Sequence, residues 1–227
     1  MKINYTNLEN CAEARGTVIV IDVLRAFSTA AYAFGAGAES ISLVSGVEEA
    51  LNLKQQHPGW LVMGEVGGLP PQGFDFGNSP TQIRAQDLRG RHLIQRTSAG
   101  TQGVTRSLNA DVLVVASFVI ASATVQYVLR GEPQELSFVI TGGEKNEEDL
   151  ACAEYLEALF QQRAPDPQPF IRRVYESYDA IRHLDPAQPE FPEEDVDFCT
   201  RIDAFHFALP VLREDGRPVL RPVLPVK

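Results

Sequence analysis

Asp22 and Arg25 stand at the end of an uninterrupted β-branched run, Thr17-Val18-Ile19-Val20-Ile21. Such a run reads as a strand buried on both faces. A carboxylate and a guanidinium at its end are costly to desolvate unless they are paired or bind something, so the stretch marks a candidate site. Ser28 and Thr29 follow it, in a small-residue run that can start a helix. Farther on, Glu65 and Asp75 can supply hard oxygen ligands to Mg2+, although Asp75 can equally serve only to make a turn. The loop Arg96-Thr97-Ser98-Ala99-Gly100-Thr101-Gln102-Gly103 suits an anion. Its glycines let amides turn inward, its hydroxyls donate, and a following helix start adds a favourable dipole. A plain helix cap explains the same loop, which lacks the Gly-Lys-Ser/Thr of a P-loop. Glu144, Glu147, Glu148 and Asp149 crowd another helix start, where the dipole favours carboxylates. One or two of them can also reach a metal.

The elements that must position these groups are legible from periodicity. Predicted strands at Thr17–Leu24, Trp60–Met63, His92–Arg96, Val112–Ala116 and Leu136–Thr141 end, in turn, on Asp22 with Arg25, on Gly64-Glu65, on Arg96-Thr97-Ser98, on Ser117 and on Gly142-Gly143-Glu144. Ligands of open α/β sheets bind beyond the carboxyl ends of the strands, so these five ends form a candidate catalytic rim. Lys2–Thr6 and Ser40–Val44 read as further strands. Helices are predicted at Phe27–Phe34, from a Ser45/Glu48 capping box to His57, from Ser79-Pro80-Thr81-Gln82, and from Asn146 to about Arg163. Strands alternating with helices predict an α/β fold, three layers α/β/α around a largely parallel or mixed sheet. Residues 1–227 read as one domain, with 164–227 a Pro-rich extension packed on it. That extension carries helical stretches at Phe170–Leu184 and Glu194–Phe207, then an Asp215-Gly216 hairpin or extended tail.

Composition excludes several function classes. With 20 basic against 30 acidic residues the net charge is −10, which argues against nucleic-acid binding over a broad face. Cys11, Cys152 and Cys199 are odd in number and widely spaced, as reduced cytosolic thiols are. Cys152 falls inside a helix and reads as a buried, inert thiol. Val112 to Leu129 carries no charge, yet Ser117, Ser122, Thr124 and Gln126 read as a buried strand turning into a buried helix rather than a membrane span. The N-terminus lacks a basic-then-apolar leader pattern. A soluble, cytoplasmic protein is expected, without membrane partners. His57, His92, His183 and His206 all fall away from the predicted rim, which argues against histidine as nucleophile, base or zinc ligand.

The rim residues resemble the 2-phosphosulfolactate phosphatase family, Mg2+-dependent phosphohydrolases associated with coenzyme M biosynthesis. The resemblance is carried by Val20-Ile21-Asp22-Val23-Leu24-Arg25-Ala26-Phe27-Ser28-Thr29 and by Gly64-Glu65 with Gly73-Phe74-Asp75-Phe76-Gly77-Asn78-Ser79-Pro80. It continues through Thr97 with Gly100-Thr101, Ala116-Ser117-Phe118, Gly142-Gly143, Glu148-Asp149 and Cys152-Ala153, and through Asp197-Phe198-Cys199 with Asp203 and Pro210. Ala99 and Ile120 depart from asparagines usual or frequent in the family, which bears on the substrate more than on the reaction. The resemblance implies hydrolysis of 2-phosphosulfolactate or a related small anionic phosphate ester, and a homodimer. Mg2+ would be held by some of Asp22, Glu65, Asp75, Glu148 and Asp149. Asp22 and Arg25 would be catalytic, Asp22 as nucleophile, base or metal ligand. Ser28, Thr29, Asn78, Arg96, Thr97, Ser98, Gly100, Thr101, Gly103 and Ser117 would bind substrate. Two other enzyme types fit less well. A haloacid-dehalogenase-type phosphatase wants a second aspartate where Leu24 stands, and an isochorismatase-like cysteine hydrolase wants a cysteine at a strand-to-helix turn. A non-catalytic anion binder is the remaining alternative.

Overall fold

The computed structural model describes residues 1–142 and 147–224. Gly143, Glu144 and Asn146, singled out above as strand end and helix cap, lie outside the described residues. Nine described strands form one mixed sheet in the order β1-β7-β2-β6-β8-β9-β3-β5-β4. They are β1 (Lys2–Asn7), β2 (Thr17–Ile21), β3 (Ser40–Leu43), β4 (Leu61–Gly64), β5 (His92–Arg96), β6 (Val112–Ala116), β7 (Glu135–Ile140), β8 (Leu209–Glu214) and β9 (Arg217–Leu220). Helices α1 (Ala26–Gly35), α2 (Val47–Gln56), α3 (Pro80–Ile83), α4 (Gly100–Arg106), α5 (Ala121–Leu129) and α6 (Glu147–Phe160) alternate with the strands. The C-terminal part adds α7 (Gln168–Tyr175), α8 (Tyr178–His183) and α9 (Glu193–Cys199). The α/β class and the mixed sheet are as the sequence predicts.

β2 is buried along its whole length because both of its faces are covered. Val18 and Val20 pack with Phe27, Ala30 and Ala31 of α1. Ile19 and Ile21 pack with Val125 of α5 and Ala151 and Leu156 of α6. A smaller core of Ala50, Leu53, Val62 and Ile94 lies between α2 and the strands β4 and β5.

The hairpin β8–β9, turned by Asp215 and Gly216 at positive φ, sits in the middle of the sheet. β8 pairs antiparallel with β6, and β9 antiparallel with β3. Two parallel blocks, β1-β7-β2-β6 and β3-β5-β4, therefore flank it and run in opposite senses. In a flat sheet their carboxyl ends would lie at opposite edges. In this fold they come together across α1: Val18, Val20 and Val115 of one block share a core with α1 and with Ile41, Leu43 and Leu93 of the other. At the seam, Gln95 Nε2 donates to the Ala26 carbonyl at 2.9 Å.

Local details depart from expectation for identifiable reasons. The predicted helix 170–184 is two helices, because Ser177 caps α8 by accepting from the Ala180 amide at 3.3 Å. The final helix stops at Cys199, and Asp203 at positive φ turns the chain toward β8. The glutamate that bonds back at the start of α2 is Glu49, not Glu48; it accepts from the amides of Ser45 and Gly46. Ser79 caps α3 as predicted, accepting from the Gln82 amide at 3.2 Å. Val112 to Leu129 is a strand, a short turn and a helix, and no described helix is long and apolar enough to cross a membrane.

Candidate active site

Where the two blocks meet lies a cavity of about 170 Å³. Asp22 forms part of its wall, 5 % exposed, at the junction of β2 and α1. Its Oδ1 accepts from the Ala26 amide at 2.8 Å. Burial, with Glu65 and Asp179 nearby, pushes its carboxyl up to about 7 despite amide hydrogen bonds from Ala26 and Gly100. Asp149 and Glu148, in the first turn of α6, adjoin Asp22 without lining the cavity. Asp149 accepts from the Val23 amide at 2.8 Å and from the Thr141 hydroxyl at 3.2 Å. Burial and then Asp22 and Glu148 push its carboxyl well above the usual range. Burial, Asp179 and Asp22 push Glu148 up to about 7, and its Oε2 has no hydrogen-bond partner.

Glu65, just past β4, organises the loops rather than standing free. One oxygen accepts from the Ser98 amide at 2.5 Å, and the other from the Gly68 amide at 2.6 Å and the Ser98 hydroxyl at 3.1 Å. Asp75 is a correction to the metal-ligand set. Lys54 holds it at 2.7 Å and the Val62 amide at 2.7 Å, and it does not line the cavity.

The predicted anion loop is divided in the same way. Ser98 and Ala99 face the cavity, whereas Thr97 and Thr101 bond to each other's amides at 2.9 and 3.0 Å and cap α4. Arg96 is turned away, donating to the carbonyls of Glu65 and Ser45. Gly100 permits close packing, since a Cβ there would lie 2.7 Å from Asp22 Oδ2. Gly103 plays the same part against Val20, at 2.6 Å. Ser28 donates to the Val23 carbonyl at 2.8 Å. Thr29 and Ser117 are fully buried outside the cavity wall, their hydroxyls unpartnered. Of the resemblance-derived binding residues Asn78 does reach the cavity, with an unpartnered buried Oδ1.

Arg25 is buried, and its Nη1 pairs with Asp195 at 2.8 Å while Nη2 donates to the Gly68 carbonyl at 3.2 Å. Asp195, on α9, also accepts from the Ser79 hydroxyl at 2.7 Å and the Thr81 amide at 3.0 Å. Sequence reading missed Asp195, and it missed Asp179, Arg182 and His183, which α8 brings to the cavity. His183 thus corrects the expectation that every histidine lies away from the rim. Its Nδ1 is 2.9 Å from the Pro192 carbonyl, and burial followed by the Arg25 charge lowers it to about 4, so its ring is neutral near pH 7. The i, i+3, i+4 spacing of Asp179, Arg182 and His183, which sets them on one face of a helix, was the available signal. No cysteine lines the cavity: all three are buried, and burial pushes the Cys152 and Cys199 thiols up. That removes the geometry a cysteine hydrolase needs.

Buried carboxylates beside two guanidiniums, at strand ends of an α/β sheet, define a binding site for a small anion or for an anion with a cation. Comparison with known proteins gives the family. A family model described as 2-phosphosulpholactate phosphatase matches residues 4–215, and the chain belongs to that family, whose members are phosphoric monoester hydrolases. A protein of Bacillus subtilis (strain 168) named "Probable 2-phosphosulfolactate phosphatase" is 33 % identical over 208 residues, 91 % of each chain. A Thermotoga petrophila protein of the same name is 34 % identical over 198 residues, covering 83 % of this chain and 86 % of that one. The relative from Carboxydothermus hydrogenoformans is 31 % identical over 225 residues, 89 % of each.

Proposed function

We propose that this chain is a Mg2+-dependent phosphatase of a small phosphorylated organic acid, 2-phosphosulfolactate or a close chemical relative. Asp22 carries the reading: a buried carboxylate without a cationic partner, in the wall of a cavity that two guanidiniums also face. Its burial among Glu65, Asp149 and Asp179 raises its carboxyl toward neutrality, as an unshielded cluster of like charges must. The buried Glu148 Oε2 is a second carboxylate oxygen there, and it has no hydrogen-bond partner. Hard oxygen donors suit Mg2+, which commonly takes one or two carboxylates and keeps several waters. Among the described residues no three His, Cys, Asp or Glu side chains are grouped to hold a metal ion, so this reading rests the ion on two carboxylates. Asp22 and Glu148 would hold the ion, with Asp149 locked behind them by Val23 and Thr141. When bound, Mg2+ neutralises charge on the phosphoryl oxygens.

The remaining steps belong to the chain's own groups. Arg25, fixed by Asp195 and Gly68, presents its spare N–H donors to the phosphoryl group. Asp179 lines the cavity, with its carboxyl raised by burial; by position it is the acid that would protonate the departing alkoxide as water takes up the phosphoryl group. Phosphate monoesters hydrolyse extremely slowly without help, which is why several charge-stabilising groups converge. The unpaired thiols suit the reducing cytoplasm, where we place the protein.

The test is phosphate release from 2-phosphosulfolactate by the purified protein. Activity removed by EDTA and restored by Mg2+ is expected. A rate indifferent to EDTA removes the metal, and ester binding without phosphate release makes the chain an anion binder.

A further inference from the structure

Two guanidiniums approach one ring in the cavity, with Cζ of Arg25 at 5.3 Å and Cζ of Arg182 at 4.1 Å from the centroid of Phe191. They are not equivalent. Arg25 is committed to Asp195 and to the Gly68 carbonyl. Arg182 makes one long contact, 3.5 Å to the Gly67 carbonyl, and among the described residues no carboxylate forms an ion pair with it. Stacking on Phe191 orients its plane but satisfies none of its five N–H donors. Asp179, one turn earlier on α8, shares the cavity and feels the Arg182 charge without pairing with it.

A half-buried guanidinium held on a ring with donors to spare is a preformed receptor for a carboxylate or a sulfonate, whose oxygens its planar fork can take two at a time. We propose that Arg182, positioned by Phe191, is the specificity-determining residue that grips a second anionic group of the substrate, separate from the phosphoryl group. The assignment rests on the phosphatase reading, in which Asp22 and Arg25 serve the phosphoryl end. It gives the discrimination between phosphorylated acids and other esters to one side chain, because an alkyl or sugar phosphate leaves Arg182 without its partner.

Arg182→Met and Arg182→Lys test this, with folding checked by thermal melting. Each protein is assayed on 2-phosphosulfolactate and on p-nitrophenyl phosphate, which lacks a second anion, and is titrated calorimetrically with sulfolactate, which lacks the phosphoryl group. For Arg182→Met the ratio of kcat/KM between the two esters should fall at least tenfold, mainly through KM for 2-phosphosulfolactate. Sulfolactate should bind it at least tenfold more weakly than wild type, with Arg182→Lys between the two. An unchanged ratio, unchanged sulfolactate binding, or a wild type that does not bind sulfolactate overturns the proposal. The two readings fail separately. A wild type that hydrolyses both esters while the ratio ignores Arg182 sinks only the inference. One that hydrolyses neither, yet binds sulfolactate through Arg182, sinks only the phosphatase assignment.

Discussion

Asp22 is a buried acid whose environment opposes its own charge, and that has a measurable pH signature. Its folded-state value of about 7, like that of Glu148, lies above the ordinary 3.8 and 4.5. The folded protein therefore holds more protons than the unfolded chain between about pH 4 and 7, so these groups' contribution to stability is lost as pH rises through 7. His183 acts in the opposite sense: lowered from 6.5 to about 4, it costs stability as pH falls through that window. Metal-free Asp22→Asn should accordingly gain stability over wild type at pH 8 and little at pH 4, in urea melts at both values. The same variant should lose phosphatase activity by at least about a hundredfold. Mg2+ should raise the melting temperature of wild type more at pH 8 than at pH 5, because protons compete for the ligand oxygens. An equal rise at both values would remove Asp22 and Glu148 from the metal site.

At the scale of elements, the cavity depends on tight joints between strand ends and the helices after them. Gly64 closes β4 at φ +136°, and a Cβ there would meet the Arg96 carbonyl oxygen at 1.8 Å. Backbone cannot give way as a flexible side chain can. Gly64→Ala should therefore cost about 3 kcal/mol or more, by strained φ and overpacking together, as read by chemical denaturation. Gly100→Ala is the subtler case, since its Cβ would press on Asp22 and Ala26 from 2.7 Å. It should reduce kcat by a larger factor than it reduces stability, because the atom it displaces is a carboxylate oxygen of the site. A variant with wild-type kcat would show that Asp22 has room to move.

Across the whole molecule, the C-terminal part is structural as well as functional. β8 and β9 join the two parallel blocks, so a chain ending after Thr200 should show no cooperative melt. Asp195 ties α9 to Arg25 and to the start of α3. Asp195→Ala leaves a buried guanidinium uncompensated and should cost about 3–5 kcal/mol, with a fall in activity as Arg25 loses its anchor. Arg25→Met combined with Asp195→Leu should recover much of the stability and none of the activity, which separates the pair's two roles. The core that the two blocks share round α1 brings residues far apart in sequence to one small cavity.

The sequence by itself determined the α/β class, most strands and the placing of Asp22 and Arg25 at the end of a buried strand, because local periodicity and the expense of charge at a buried strand end are properties of short segments. It marked Glu65, Glu148 and Asp149 as carboxylates at strand or helix ends, but could not separate them from the loop residue Asp75, whose partner Lys54 lies on α2. Thr97 and Thr101 looked like ligand donors and turned out to satisfy each other's backbone, since a hydroxyl near a helix start serves either use. Only the tertiary structure decided that α8 and α9 deliver Asp179, Arg182, His183 and Asp195. It also decided that opposed parallel blocks bring their carboxyl ends together. The contacts of α9 join segments more than a hundred residues apart, the blocks are joined through a hairpin inserted mid-sheet, and no local pattern records where such a hairpin will pair.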